Sequence, residues 1–109
     1  MYYDNWSCKE DVARDFHTSE WPYEPNPEVL AADILFAAYN YEDYSGYAMV
    51  IFEQNGKLYE VHGSHCSCYG LEGQWDPEPT DRETLLGRLN RTDYGIMDRY
   101  RSEIRQALA

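Results

Sequence analysis

The chain has 109 residues, enough for one domain with one core, and 43% of them are apolar and 16% aromatic. Its formal net charge of −11 argues against direct binding to nucleic acid or an anionic membrane surface, which depends on Lys and Arg displacing counterions. Eleven tyrosines argue against a disordered acidic tail, which would be poor in aromatics.

Ser7-Cys8-Lys9-Glu10 reads as a capping box. Cys8, Val12 and Phe16 then follow at helical spacing, which predicts a short amphipathic helix over about 8–18. Trp21-Pro22-Tyr23-Glu24-Pro25 ends it, because each proline biases its predecessor away from the helical region. Asn26-Pro27 reads as an N-cap with proline at the first helical position, opening one or two turns through Ala32.

Residues 33–42 form a strand, with Ile34, Phe36 and Ala38 expected on one face and Leu35, Ala37, Tyr39 and Tyr41 on the other. Asp43-Tyr44-Ser45-Gly46 is a turn. A second strand, 47–54, leads into the hairpin signal Asn55-Gly56 and a third strand over about 58–63. Gly63 to Pro79 is a loop. Thr80-Asp81-Arg82-Glu83 is a second capping box, opening a helix whose Leu85, Leu86 and Leu89 face the core. Thr92 caps a last helix in which Ile96, Tyr100, Ile104 and Leu108 recur every four residues. The expected fold is therefore a single α+β domain: a three-stranded antiparallel meander, flanking short helices, and two C-terminal helices packed on the sheet.

Charge divides along the chain. The first 81 residues carry 16 carboxylates against Lys9, Arg14 and Lys57, while the last 28 carry six arginines against four acids. The arginine-bearing last helix can meet the acidic half of its own domain or of a second copy, and oligomeric state stays open. No apolar run reaches the roughly 18–20 residues needed to span a bilayer. The opening Met-Tyr-Tyr-Asp-Asn-Trp has neither the basic nor the apolar region of a signal peptide. A cytoplasmic protein is expected. Its three cysteines, an odd number, are expected as free thiols.

The least ordinary segment is Gly63-Ser64-His65-Cys66-Ser67-Cys68-Tyr69-Gly70-Leu71-Glu72-Gly73-Gln74-Trp75. Three glycines and the anchors Tyr69, Leu71 and Trp75 predict an ordered, packed loop. His62, His65, Cys66 and Cys68 make zinc an alternative reading, since zinc takes thiolate and imidazole ligands. The Cys-Ser-Cys spacing argues against it, being shorter than the common zinc motifs. A Cys66 nucleophile next to His65 is opposed by Glu60, Glu72, Asp76 and Glu78, which would raise a thiol pKa. The carboxylate pairs Glu42-Asp43, Asp76 with Glu78, and Asp81 with Glu83 are expected by chance in so acidic a chain, and Asp81 and Glu83 already serve a helix start. No cofactor, metal or catalytic residue is expected.

From Asp33 to about Leu89, with that loop at its centre, the chain is similar to small acidic accessory proteins encoded by phages and prophages. The resemblance covers about half of the sequence and transfers no catalytic residue. It implies a phage accessory protein; small size, a single domain and strong acidity, taken with that phage character, point to a host-defence inhibitor, anti-CRISPR proteins in particular, some of which imitate nucleic-acid charge. The expected partner is a host protein or ribonucleoprotein complex with a basic surface. Two other readings remain: an accessory interaction module without inhibitory purpose, and a Cys/His zinc protein. The expected binding residues are Glu42, Asp43 and Tyr44 at the hairpin turn and Glu72, Asp76 and Glu78 on the loop, because turns and loops present side chains outward.

Overall fold

A computed structural model describes residues 1–18, 21–42, 45–65, 70–91 and 95–109, the side chains of Tyr41 and Glu42 excepted. Its centre is a five-stranded sheet in sequence order: β1 (Tyr2–Asp4), β2 (Asp33–Glu42), β3 (Ser45–Gln54), β4 (Lys57–His65) and β5 (Glu78–Thr80). The strands β2 to β4 are the expected antiparallel meander, and the α+β class holds. Asn55 and Gly56 both adopt positive φ, 55° and 77°, as the tight turn between β3 and β4 requires.

The expectation of three strands is corrected to five. β1 adds in parallel to β2, pairing Tyr3 with Ala38, and β5 adds antiparallel to β4, pairing Glu78 with Glu60. Three residues are too few to show a period of two, and Pro79 is tolerated because β5 is an edge strand. The parallel strand has a large consequence. It demands a crossover, and α1 (Lys9–Asp15) and α2 (Pro27–Ala31) supply it across one face of the sheet. The helices α3 (Arg82–Arg91), α4 (Gly95–Arg99) and α5 (Arg101–Ala107) cover the other.

Two cores result. Trp6, Val12, Phe16, Val29 and Leu71 pack on Ala37, Tyr39, Val50, Phe52 and Val61. On the opposite face, Leu85, Leu89, Met97, Ile104 and Leu108 pack on Phe36, Ala38, Met49 and Ile51. Ile34 was expected beside Phe36 but joins the first core instead. A bulge at Leu35 lets Ile34 pair with Phe52 and Phe36 with Ile51, so one extra residue inverts the face.

Three helix boundaries also shift. Cys8, not Ser7, is the N-cap of α1 and makes no side-chain cap bond; the Asp11 carboxylate instead accepts the Ser7 N–H at 2.8 Å. Asp81 caps α3 by accepting the Thr84 N–H at 2.7 Å, one residue later than the expected Thr80, which belongs to β5. The single last helix is divided at Tyr100 into α4 and α5, with Met97 rather than Ile96 as the buried residue of α4. Tyr100 remains buried and its hydroxyl donates to the Asp4 carboxylate on β1. Burial, with that carboxylate beside it, pushes the Tyr100 hydroxyl up to about 12. The expected cap Thr92 lies outside the described residues. No helix among the described residues is long and apolar enough to cross a membrane.

Candidate functional site

The layer formed by α1, α2, the linker between them and the segment after residue 69 gathers the exposed acids and aromatics. Phe16 is its pivot. Its ring lies 5.9 Å from Trp6 and 5.2 Å edge-on from Trp75, and it is 1% exposed. Trp6 in turn donates its indole N–H to Asp15 at 2.7 Å, so the deepest aromatic leaves no polar atom unsatisfied.

The segment 70–77 is packed down as expected. Leu71 is 2% exposed and sits on Gly63, where an added Cβ would meet it at 3.0 Å. The Gln74 side-chain amide acts as a substitute strand for Ser64, accepting its N–H at 2.8 Å and donating to its carbonyl at 2.7 Å. Trp75 stacks on Phe52 at 5.4 Å. Tyr69, the third expected anchor, lies outside the described residues.

Asn26 ties the linker at its far end. Its backbone N–H and side-chain amide donate to the carbonyls of Ala13 and Phe16, and its side-chain oxygen caps α2 by accepting the Glu28 N–H. Within the linker, the Thr18 N–H donates to the Glu24 carbonyl at 2.9 Å and the Glu24 N–H to the Thr18 hydroxyl at 3.0 Å. This closed loop carries Trp21, 84% exposed, and Tyr23, 58% exposed, with rings perpendicular at 5.7 Å. His17 contacts the Tyr23 ring at 5.1 Å, and its Nε2 lies 4.0 Å from the Glu72 carboxylate. His17, Asp15, Tyr39, His65 and Glu72 line a shallow cleft of about 410 Å³.

Among the described residues, the expected binding acids do not form one patch. Glu72 sits in this cleft, with its other oxygen accepting the Gly70 N–H at 3.3 Å, and Asp76 is exposed on the same segment. Glu78 pairs with Glu60 across β4 and β5, which puts it on the side of the sheet covered by α3. Glu42 ends β2 opposite Ser45, its side chain undescribed, and Asp43 and Tyr44 lie outside the described residues. The pairing of Gly46 with His65 does set that hairpin and the start of the loop at the same end of the sheet.

The two described zinc candidates are separated too. His62 and His65 are three residues apart on β4 and project from opposite faces. His62 meets the buried Glu60 at 2.6 Å, whereas His65 lies edge-on to Tyr39. Cys66 and Cys68 lie outside the described residues. Among the described residues no three His, Cys, Asp or Glu side chains converge as metal ligands.

Sequence reading missed Trp21 and Tyr23, treating their segment only as a helix terminator. The available signal was two large aromatics placed between prolines, outside the period of any element. Comparison with protein-family models, with curated proteins and with solved structures finds no match.

Proposed function

We propose that this chain is a phage-encoded acidic inhibitor that occupies the basic, nucleic-acid-binding surface of a host defence complex, a CRISPR effector in the first instance. It acts in the host cytoplasm by occupancy, with no catalytic step and no cofactor. The supporting observation is the unequal pairing of charge on its two sides. Residues 5–18, 21–32 and 70–77 hold seven carboxylates against Lys9 and Arg14. Both cations are engaged internally, Lys9 with the Leu30 carbonyl and Arg14 with Asp11 and Asp15. Glu10, Glu24, Glu28 and Asp76 are exposed and form no ion pair among the described residues. An excess of carboxylate over cation on one side of a small domain supplies the field that steers it to a basic groove.

The test is titration of purified protein against CRISPR effector complexes, loaded and unloaded with target DNA. The reading expects binding that DNA displaces and that weakens as salt rises. Absence of binding to any nucleic-acid-handling complex overturns it. Salt-sensitive binding that DNA leaves unchanged points to an accessory interaction module without inhibitory role.

A further inference from the structure

Of the three tryptophans, Trp6 is buried and Trp75 is packed between Phe16 and Phe52, so both hold the core. Trp21 is 84% exposed and touches only its neighbour Tyr23 among the described rings. The fold makes no use of so large an exposed apolar ring, and such rings are enriched where proteins meet partners. Its surroundings narrow the partner. Glu24 adjoins Tyr23, Glu72 lies 4.0 Å from His17, and Glu28 shares with Gly73, Trp75 and His17, whose ring contacts Tyr23, a groove of about 390 Å³. A π-face on an acidic surface attracts a cation, and a planar guanidinium can lie on the ring while its edge donates to acids.

We infer that Trp21 and Tyr23 form an anchor for an arginine side chain of a basic protein partner, with Glu24 and Glu28 receiving its N–H groups. The inference rests on the proposed docking to a basic surface and names the contact that gives it selectivity. The hydrogen bonds between Thr18 and Glu24 join the two ends of the segment that carries the pair, which lowers the cost of ordering it on binding.

Deca-arginine and deca-lysine peptides, titrated into the full chain by calorimetry, separate the two ideas. Wild type is expected to bind the arginine peptide about tenfold more tightly than the lysine peptide. Trp21→Ala with Tyr23→Ala should abolish that preference and leave lysine-peptide binding within about twofold, since bulk charge is untouched. Trp21→Phe, which keeps a π-face, should retain most of the preference. Near-UV circular dichroism checks that Trp6 and Trp75 stay packed. Equal affinity of wild type for both peptides, or a preference that survives the double alanine variant, overturns the anchor while acidic docking stands. No binding of either peptide overturns the docking reading and the anchor with it. Concentration-dependent dimerisation of wild type that the double variant abolishes would assign the anchor to a second copy of this chain, and would equally overturn the inference.

Discussion

The two layers that sandwich the sheet solve the same packing problem with opposite treatment of charge. On the side of α3 to α5, arginines are spent on the fold. Arg88 reaches Glu60 at 2.5 Å, Arg99 reaches Asp4 at 3.4 Å, Arg105 reaches Asn90 at 3.1 Å, and Arg101 donates to the Leu89 carbonyl at the end of α3. On the side of α1 and α2, rings do the holding: Trp6, Phe16, Tyr39, Phe52 and Trp75 form a connected aromatic chain. Glu10, Glu24, Glu28 and Asp76 there are left to solvent. A layer held by aromatic packing can carry unpaired charge at its surface without depending on it, which frees that surface for a partner.

Removing the pivot of the aromatic chain tests this most severely. Phe16→Ala should cost about 3–5 kcal/mol in chemical denaturation, because Trp6 and Trp75 would face a cavity from two sides. A loss below about 1 kcal/mol would mean that the acidic layer can collapse around the gap and is not held by its rings.

The opposite layer should break through its ion pairs. Arg88→Ala leaves Glu60, 4% exposed, beside His62 but without its guanidinium partner, and should cost about 2–3 kcal/mol. Burial alone would push the Glu60 carboxyl up. Hydrogen bonds from His62 and Arg88 overcome that and hold it down at about 2, against an ordinary 4.5. A depressed carboxylate pKa stabilises the fold above the unfolded value and loses that contribution as pH falls. Wild type should therefore lose stability between pH 4.5 and about 2, and Glu60→Gln should flatten the profile in that window. An unchanged profile would show that the Glu60 pair contributes nothing to the layer.

The meander was legible because its strands are long and Asn55-Gly56 can hardly be anything but a tight turn. The edges were not. β1 and β5 have three residues each, and their existence depends on a neighbouring strand offering free backbone groups. The run Ile34-Leu35-Phe36 is apolar throughout, so no alternation marked the bulge that turns Ile34 to the other core. Capping was read correctly at Asn26, where proline fixes the frame, and one residue early at Asp81, where Thr80 and Asp81 are both competent caps. Acidity of the site was legible from composition. Its division was not, because the side taken by Glu78 follows from the pairing of β5, and the exposure of Trp21 follows from tertiary packing that leaves it no partner core.

Charge reversal sharpens the functional half of the comparison. Glu24→Lys, Glu28→Lys and Asp76→Lys together should weaken binding to a basic target about tenfold or more and make it less salt-dependent, with little change in stability. Glu78→Lys, Glu83→Lys and Glu103→Lys, an equal change of charge on the arginine-bearing side, should have a smaller effect. Equal losses from both sets would mean that overall charge, not one layer, drives binding.

The smallest effect isolates the join between fold and site. Asn26 caps α2 through its oxygen and holds the Phe16 carbonyl through its amide, 3.2 Å away. Asn26→Ala loses both and should cost about 1 kcal/mol, the usual worth of an N-cap. Asn26→Asp keeps the acceptor, and its charge suits the N-terminus of α2, but it cannot donate to Phe16. It should retain most of the stability while loosening the base of the linker that carries Trp21 and Tyr23. Arginine-peptide affinity should then fall in Asn26→Asp by about as much as in Asn26→Ala, although the two differ in stability. If affinity follows stability instead, the linker is positioned by the helix cap, and the tie between Asn26 and Phe16 has no separate part in presenting the aromatic pair.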